Sequence, residues 1–349
     1  MERIPVAVLG ATGAVGQHFV SLLAKHPWFR ISALAGSERR AGKRYGETVR
    51  WVIEGDPPPD VEDMVVAPLD PVLDARLVFS ALPAPVALEV EPLFAQAGYV
   101  VCSNASAFRY DPLVPLVIPE VNADHLAIIA RQRSERNWPG LIVTSPNCTT
   151  TGVAMALKPL HDAFGLKQVV AVTLQALSGA GYPGVPSLDV VDNVLPYIEG
   201  EEDKVERETC LLLGQLVGSE RIPADIVVSA HTNRVAVLAG HIACVSAGFA
   251  TKPTPEQAME VLSSFRGPSN VAGLPSAPQR PVHLRHEVDR PQPRRDRDAE
   301  DGMAVTVGRV RSCPLLDLRL VSLVHNTRRG AAGGAVLNAE LLVQQGWVA

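Results

Sequence analysis

The sequence predicts an α/β protein of two unlike domains. Residues 1–147 read as a parallel, doubly wound domain, residues 148–329 as a mixed-sheet α+β domain, and residues 330–349 as a helix packing back on the first. Three observations carry this expectation. The chain has 349 residues, more than the ~250–300 at which a single hydrophobic core stops growing. It opens with a strand, a glycine turn and a helix. Beyond Thr149 the short apolar runs give way to long ones.

Residues 4–9 read as a short buried strand, "GATGAVG" turns the chain, and "AVGQHFVSLLAKH" has helical spacing that stops before Pro27. Further apolar runs at "ISALAGS", "LVFSAL" and "YVVCSNAS" recur with helix-like segments between them, as a parallel sheet with crossover helices requires. In the second domain "QVVAVTLQALS", "RVAVLAGHIACVSAGF", "MAVTVGRVR" and "LDLRLVSLVHN" read as long strands, with helical regions over 187–216 and 254–265. Residues 267–302, rich in Pro, Arg and Asp, read as a solvated loop. The closing helix is "GAAGGAVLNAELLVQQGW".

Composition narrows the function classes. A net charge of −5 with 47% hydrophobic and 20% charged residues suits a globular protein and gives no general attraction to nucleic acid or anionic membrane. No apolar run reaches the ~18 residues of a membrane span, and no signal peptide is visible, so a cytoplasmic location is the expectation. The five cysteines are widely spaced and form no CxxC, which argues for reduced thiols and against a disulfide framework or a metal site.

Gly10, Gly13 and Gly16 form GxxGxxG where a phosphate-binding turn must sit, directly after the first strand and at the start of a helix. Such glycines let the backbone approach a pyrophosphate, and the helix N-terminus attracts its charge. At the end of the second strand a dinucleotide enzyme using NAD presents an acidic group to the ribose. Here the chain reads "GSERRAGKR", and Ser37, Arg39 and Arg40 suit a 2′-phosphate, so NADP is favoured; Glu38 keeps NAD as the weaker alternative.

In "TSPNCTTTG" the thiol of Cys148 is placed at the N-terminus of a helical run, where the helix dipole is expected to lower its pKa from ~8.5 toward about 3.5–7.5. A thiolate beside a nicotinamide points to covalent acyl chemistry, thioester formation coupled to hydride transfer. "NRVAVLAGH" offers an anion ligand in Arg234 and an acid/base in His241. On one strand their odd spacing puts them on opposite faces, so both line one pocket only if the chain bends near Gly240.

Together "GATGAVGQ", "SNASAFR", "VPLVIPEVN", "SPNCTT", "QALSGAGYPGVPS", "GEEDKVERET", "NRVAVLAGH", "RPQPRRDRDAEDGM" and "HNTRRGAAGG" resemble the aspartate-semialdehyde dehydrogenase family over nearly the whole chain, closest to its archaeal and fungal branch. The resemblance implies a Rossmann-type first domain and a second domain like that of glyceraldehyde-3-phosphate dehydrogenase. It makes Cys148 the nucleophile, His241 the general acid/base and Gln175 the residue orienting the acyl intermediate, with Asn147 flanking the thiol. Arg234 is then the ligand of the substrate α-carboxylate and Glu201 faces its ammonium group, while Arg109 and Lys204 receive phosphate. Gly10, Thr12, Gly13, Val15, Ser37, Ser178, Gly179 and Asn326 fall at NADP contacts. The implied reaction is the NADPH-dependent reductive dephosphorylation of L-4-aspartyl phosphate to L-aspartate 4-semialdehyde, a step toward lysine, threonine and methionine, in a dimer or tetramer. The alternatives are a malonyl-CoA or succinyl-CoA reductase built on the same residues, or a catalytically silent NADP-binding protein.

Overall fold

The computed structural model describes residues 2–348. Ile4–Leu9 (β1), Phe29–Ala35 (β2), Leu77–Ser80 (β3), Val100–Ser103 (β4) and Leu141–Thr144 (β5) form a parallel sheet in the order β2-β1-β3-β4-β5. Helices cover both faces, which is why β3, β4 and β5 are buried at every position and read as continuous apolar runs. Along β1, Val6 and Val8 pack with Phe19 and Val20 of the Ala14–Leu23 helix, whereas Ala7 and Leu9 pack with Ala87 and Phe94 of the Ala84–Gln96 helix. The closing helix, Gly333–Gln344, puts Ala335, Val336, Leu341 and Leu342 into the first of these clusters.

The Cys148–Phe164 helix leaves the end of β5. Leu166–Gln175 (β6) follows, then a two-stranded ribbon of Gln215–Val217 (β7) and Glu220–Ile222 (β8), then Val227–Arg234 (β9), His241–Phe249 (β10), Val282–Leu284 (β11), Val305–Ser312 (β12) and Leu318–Val324 (β13). Six of these form a mixed sheet in the order β11-β12-β13-β10-β6-β9. Its inner face packs Val169, Ala171, Ala243 and Val245 on Val153, Ala154 and Leu157 of the Cys148–Phe164 helix. Its outer face leaves Val170, Val172 and Cys244 exposed.

The structure corrects the sequence reading at several elements. "RVAVLAGHIACVSAGF" is two strands, with Arg234 ending β9 and His241 starting β10. The turn between them relies on Gly240, whose φ of 101° lies where residues with a Cβ are strained. The region 187–216 is not one helical stretch. Only Ser187–Val190 and Glu201–Leu212 are helical, and between them Asp192 takes a φ of 59° and Leu195 exchanges backbone hydrogen bonds with Arg234. Strand β9 escaped notice because it is an edge strand rich in polar residues. Its free N–H groups are met by side chains: Glu202 accepts from Thr232 N at 3.0 Å and Glu206 from Ala230 N at 2.9 Å, which blunts an edge otherwise open to pairing. The stretch 267–302 is more than a solvated loop. It contributes β11 to the sheet, and its Asp296 is buried, accepting from Arg290 Nε at 2.6 Å and Gln292 N at 2.7 Å.

Candidate functional site

The two sheets meet at the start of the Cys148–Phe164 helix. Asn147 is its N-cap, and Asn147 Oδ1 accepts from Thr149 N at 2.9 Å and Thr150 N at 3.2 Å, two of the donors a helix start leaves without intrahelical partners. The amide's other end is also occupied: Asn147 Nδ2 lies 2.9 Å from both oxygens of Glu201. Glu201 accepts further from Lys204 Nζ at 3.0 Å and Gln175 Nε2 at 3.4 Å. Arg109 donates through Nη1 to Glu208 at 3.1 Å and through Nη2 to Asn104 O at 3.0 Å.

On the sheet side, Gln175 closes β6 and pairs with Arg234 at the end of β9, while Ile242 pairs with Leu174 on the other flank. Gln175, Arg234 and His241 are therefore neighbours on three strand ends, all buried on the inner face. Alternation along one strand would have separated Arg234 from His241; a strand change brings them together. Arg234 Nη1 donates to Ala176 O at 2.9 Å, and His241 Nδ1 accepts from Ala176 N at 3.0 Å. That acceptor role places the proton of the neutral imidazole on Nε2, which is buried with no hydrogen-bond partner among the described residues. Gly179 is what permits this approach, because a Cβ there would lie 2.8 Å from Arg234 Nη1 and 2.9 Å from His241 Nε2.

The expected low pKa of Cys148 is not what the structure gives. Although Cys148 sits at the helix N-terminus and keeps partial exposure, its thiol is pushed up to about 12, first by burial and then by Glu201, with Arg109 pulling the other way. The magnitudes explain the outcome. A helix terminus contributes at most ~2 kcal/mol, equivalent to about 1.5 pKa units, whereas burial moves a group by up to ~3–5 units. His241 is pushed down to about 3 by burial, then by Arg234 and His325. Without ligands the pair is a neutral thiol and a neutral imidazole.

The glycine turn lies at the carboxyl end of β1. Gly10 N and Ala11 N donate to Ala35 O, and Gln17 Nε2 donates to Thr12 O at 3.1 Å. A Cβ on Gly16 would collide with Gly10 O and the Ala11 backbone. The Ala14–Leu23 helix begins at Gly13 with no side-chain cap and no acidic residue in its first turn, leaving its N-terminus free for an anion; Val15 is half-buried in that turn. At the end of β2, Ser37, Arg39 and Arg40 line a basic pocket together with Lys43 and Thr48. Ser178 and Asn326 lie next to the Arg234–His241 end of the cleft, with Asn326 Nδ2 donating to Ser178 Oγ at 2.8 Å and Asn326 Oδ1 accepting from Gly240 N at 2.9 Å. A cavity between the Ala14–Leu23 helix and the second domain reaches Ser178 and is lined by His18, Arg297, His325 and Arg328.

Sequence reading missed Glu208, Lys43, Thr48 and Gly330. Gly330 packs against the Cys148 backbone: a Cβ there would lie 2.7 Å from Cys148 Cβ. The helix face that carries Glu208 was legible in the sequence, but its burial was not. Glu201, Lys204 and Glu208 share one helix face by their i, i+3, i+7 spacing, and that face turns out to be the buried one, carrying Glu201, Val205 and Glu208.

Residues 5–129 match the family "Semialdehyde dehydrogenase, NAD binding domain" and residues 157–329 match "Semialdehyde dehydrogenase, dimerisation domain". The chain is 52% identical to the aspartate-semialdehyde dehydrogenase of Archaeoglobus fulgidus, over 98% of this chain and 99% of the relative. It is 42% identical to a malonyl CoA reductase (NADP) of Metallosphaera sedula, over 99% of each. The crystal structure of aspartate semialdehyde dehydrogenase with NADP from Candida albicans superposes with a TM-score of 0.91 at 41% identity, covering 98% of this chain and 99% of that one.

The neutral thiol makes a kinetic prediction. With no ligand bound, alkylation of Cys148 by iodoacetamide, followed by peptide mass spectrometry, should be slower at pH 7.5 than that of free cysteine. It should also rise about tenfold per pH unit across the alkaline range, because only the deprotonated form reacts. A rate already at its plateau near pH 7 would show a preformed thiolate.

Proposed function

The chain belongs to the aspartate-semialdehyde dehydrogenase family, and from that premise we propose that it reduces L-4-aspartyl phosphate to L-aspartate 4-semialdehyde and phosphate with NADPH, through a thioester on Cys148, in lysine, threonine and methionine synthesis. The observation that carries this reading is a pair of opposite charges beside the thiol and the imidazole: Arg234 next to His241, and Glu201 next to the cap of Cys148. An α-amino acid presents one carboxylate and one ammonium group to such a pair. Malonyl-CoA, the substrate in the Metallosphaera relative's name, has no ammonium for Glu201.

The residues present fit an NADP dinucleotide. The crowded turn at Gly10 and Gly16 admits a close pyrophosphate at an uncapped helix N-terminus, and the pocket at Ser37, Arg39, Arg40 and Lys43 suits a 2′-phosphate. When bound, NADPH supplies the hydride. The cofactor contacts are assigned to Gly10, Thr12, Gly13, Val15, Ser37, Arg39, Arg40, Ser178, Gly179 and Asn326.

The residues of the chain do the rest. Cys148 sulfur bonds to the acyl carbon as the C–O bond to phosphate breaks, the thiol proton leaves on the departing phosphate as HPO4²⁻, and Arg109 and Lys204 receive that anion. Gln175 and the imidazole Nε2–H of His241 hold the acyl oxygen, where negative charge develops. After reduction the C–S bond breaks, the sulfur recovers a proton and the aldehyde leaves. The substrate itself relieves the charges that suppress these groups. Its ammonium at Glu201 offsets the carboxylate that, after burial, raises the Cys148 pKa, which favours thiolate. Its carboxylate at Arg234 offsets the guanidinium that, after burial, lowers the His241 pKa, and the imidazole keeps Nδ1 on the Ala176 N–H and donates from Nε2–H. The division between domains falls at 147/148, with 330–349 belonging to the first, and self-association uses the outward face of the six-stranded sheet, where Val170 and Val172 are exposed.

Two measurements check this function. Aspartate semialdehyde with NADP should give phosphate-dependent reduction of the cofactor, while malonyl-CoA with NADPH gives none; activity with the CoA ester alone would select the rival. The double variant Arg39→Ala, Arg40→Ala should raise the NADP KM at least tenfold and spare NAD, and an equal loss for both cofactors would remove these arginines from 2′-phosphate recognition.

A further inference from the structure

Glu208 has no part in the chemistry above, yet it is fully buried and its two oxygens serve two distant pieces of the site. Oε1 accepts from Arg109 Nη1 at 3.1 Å, and Oε2 accepts from the backbone N–H of Asn147 at 2.6 Å. Arg109 comes from the loop after β4, and Asn147 is the cap of the helix that begins with Cys148. One carboxylate on the Glu201–Leu212 helix thus ties the guanidinium to the nucleophile's helix. Arg109 is itself buried, its Nη2 is held by Asn104 O, and its Nε has no partner among the described residues, so the Glu208 contact fixes which way the free side of the guanidinium points. A buried carboxylate costs several kcal/mol unless it is paired, and burial raises the Glu208 pKa overall, against the lowering by Arg109 and the Asn147 N–H; the geometry, with both oxygens accepting from N–H donors, is that of the carboxylate form.

We propose that Glu208 is a positioning residue that acts through Arg109, holding the anion-binding guanidinium in register with the sulfur of Cys148 so that phosphate binds at the distance the acyl transfer needs. The inference rests on the reading of Arg109 as a phosphate ligand. Displacements of about 1 Å in such ligands cost up to ~10²-fold in rate.

The test uses the full chain with NADP bound and inorganic phosphate as the probe. Glu208→Gln keeps the shape and one acceptor for Asn147 N–H but removes the charge that faces Arg109. Phosphate affinity, read by 31P NMR titration independently of turnover, should fall about tenfold, and the phosphate KM should rise by the same factor. The KM values for NADP and aspartate semialdehyde should stay within about twofold. In an Arg109→Ala background Glu208→Gln should change phosphate affinity no further. Glu208→Asp, which keeps the charge at shorter reach, should fall between wild type and Glu208→Gln, and it serves as the test variant if Glu208→Gln does not fold. Unchanged phosphate affinity in both variants, or a loss that persists undiminished in the Arg109→Ala background, overturns the proposal. Wild-type protein that binds phosphate but shows no phosphate-dependent turnover would strike the proposed reaction and leave the Glu208 result standing.

Discussion

The site depends on how the first turn of the Cys148–Phe164 helix is held. Asn147 satisfies that turn with its side-chain oxygen, and its remaining donors, Nδ2 and the backbone N–H, go to Glu201 and Glu208. Both acids come from one helix, Glu201–Leu212, whose other acidic face, Glu202 and Glu206, is fastened to the edge of β9. The helix therefore fixes the thiol relative to Arg234, which ends that same strand. A shift of any one of these elements moves the others. Behind the thiol, the buried ion pair of Arg329 with Glu120 anchors the segment whose Gly330 packs on Cys148. Removing one partner of such a pair typically costs ~3–5 kcal/mol.

This rigidity has an electrostatic counterpart. The enclosure that positions the thiol and the imidazole also keeps both neutral, which slows the resting thiol's reaction with stray electrophiles. Arg234 and Glu201 deepen that neutrality, and on the proposed reading they are the two groups a zwitterionic substrate neutralises. Recognition and activation then draw on the same contacts, and a ligand lacking either charged end loses both.

Much of the fold was legible because its signals are local. The glycine turn after β1, the continuous apolar runs of the parallel strands and the helix start at Cys148 each follow from chemistry within a few residues. What escaped depends on partners far along the chain. Strand β9 looks polar because its outer edge is covered by a helix, and β11 is three residues inside a Pro- and Arg-rich stretch. Arg234 and His241 share a pocket through a turn that a continuous apolar run conceals. The thiol pKa was misjudged for a related reason, since the dipole of a helix start is visible in sequence and the burial that outweighs it is not. Glu208 was hidden among the charges of "GEEDKVERET", where spacing marks a helix face without saying which face is buried.

The central claim is that Cys148 carries the acyl group between phosphate and reduction, within this pocket and on no other thiol. The direct measurement is intact and peptide mass spectrometry of the protein mixed with aspartate semialdehyde and NADP in the absence of phosphate, where the thioester has no phosphate to attack it. The account predicts an aspartyl adduct on the peptide bearing Cys148 and none on Cys102, Cys210, Cys244 or Cys313. Cofactor reduction with Cys148 unmodified, or an adduct confined to another cysteine, would contradict it.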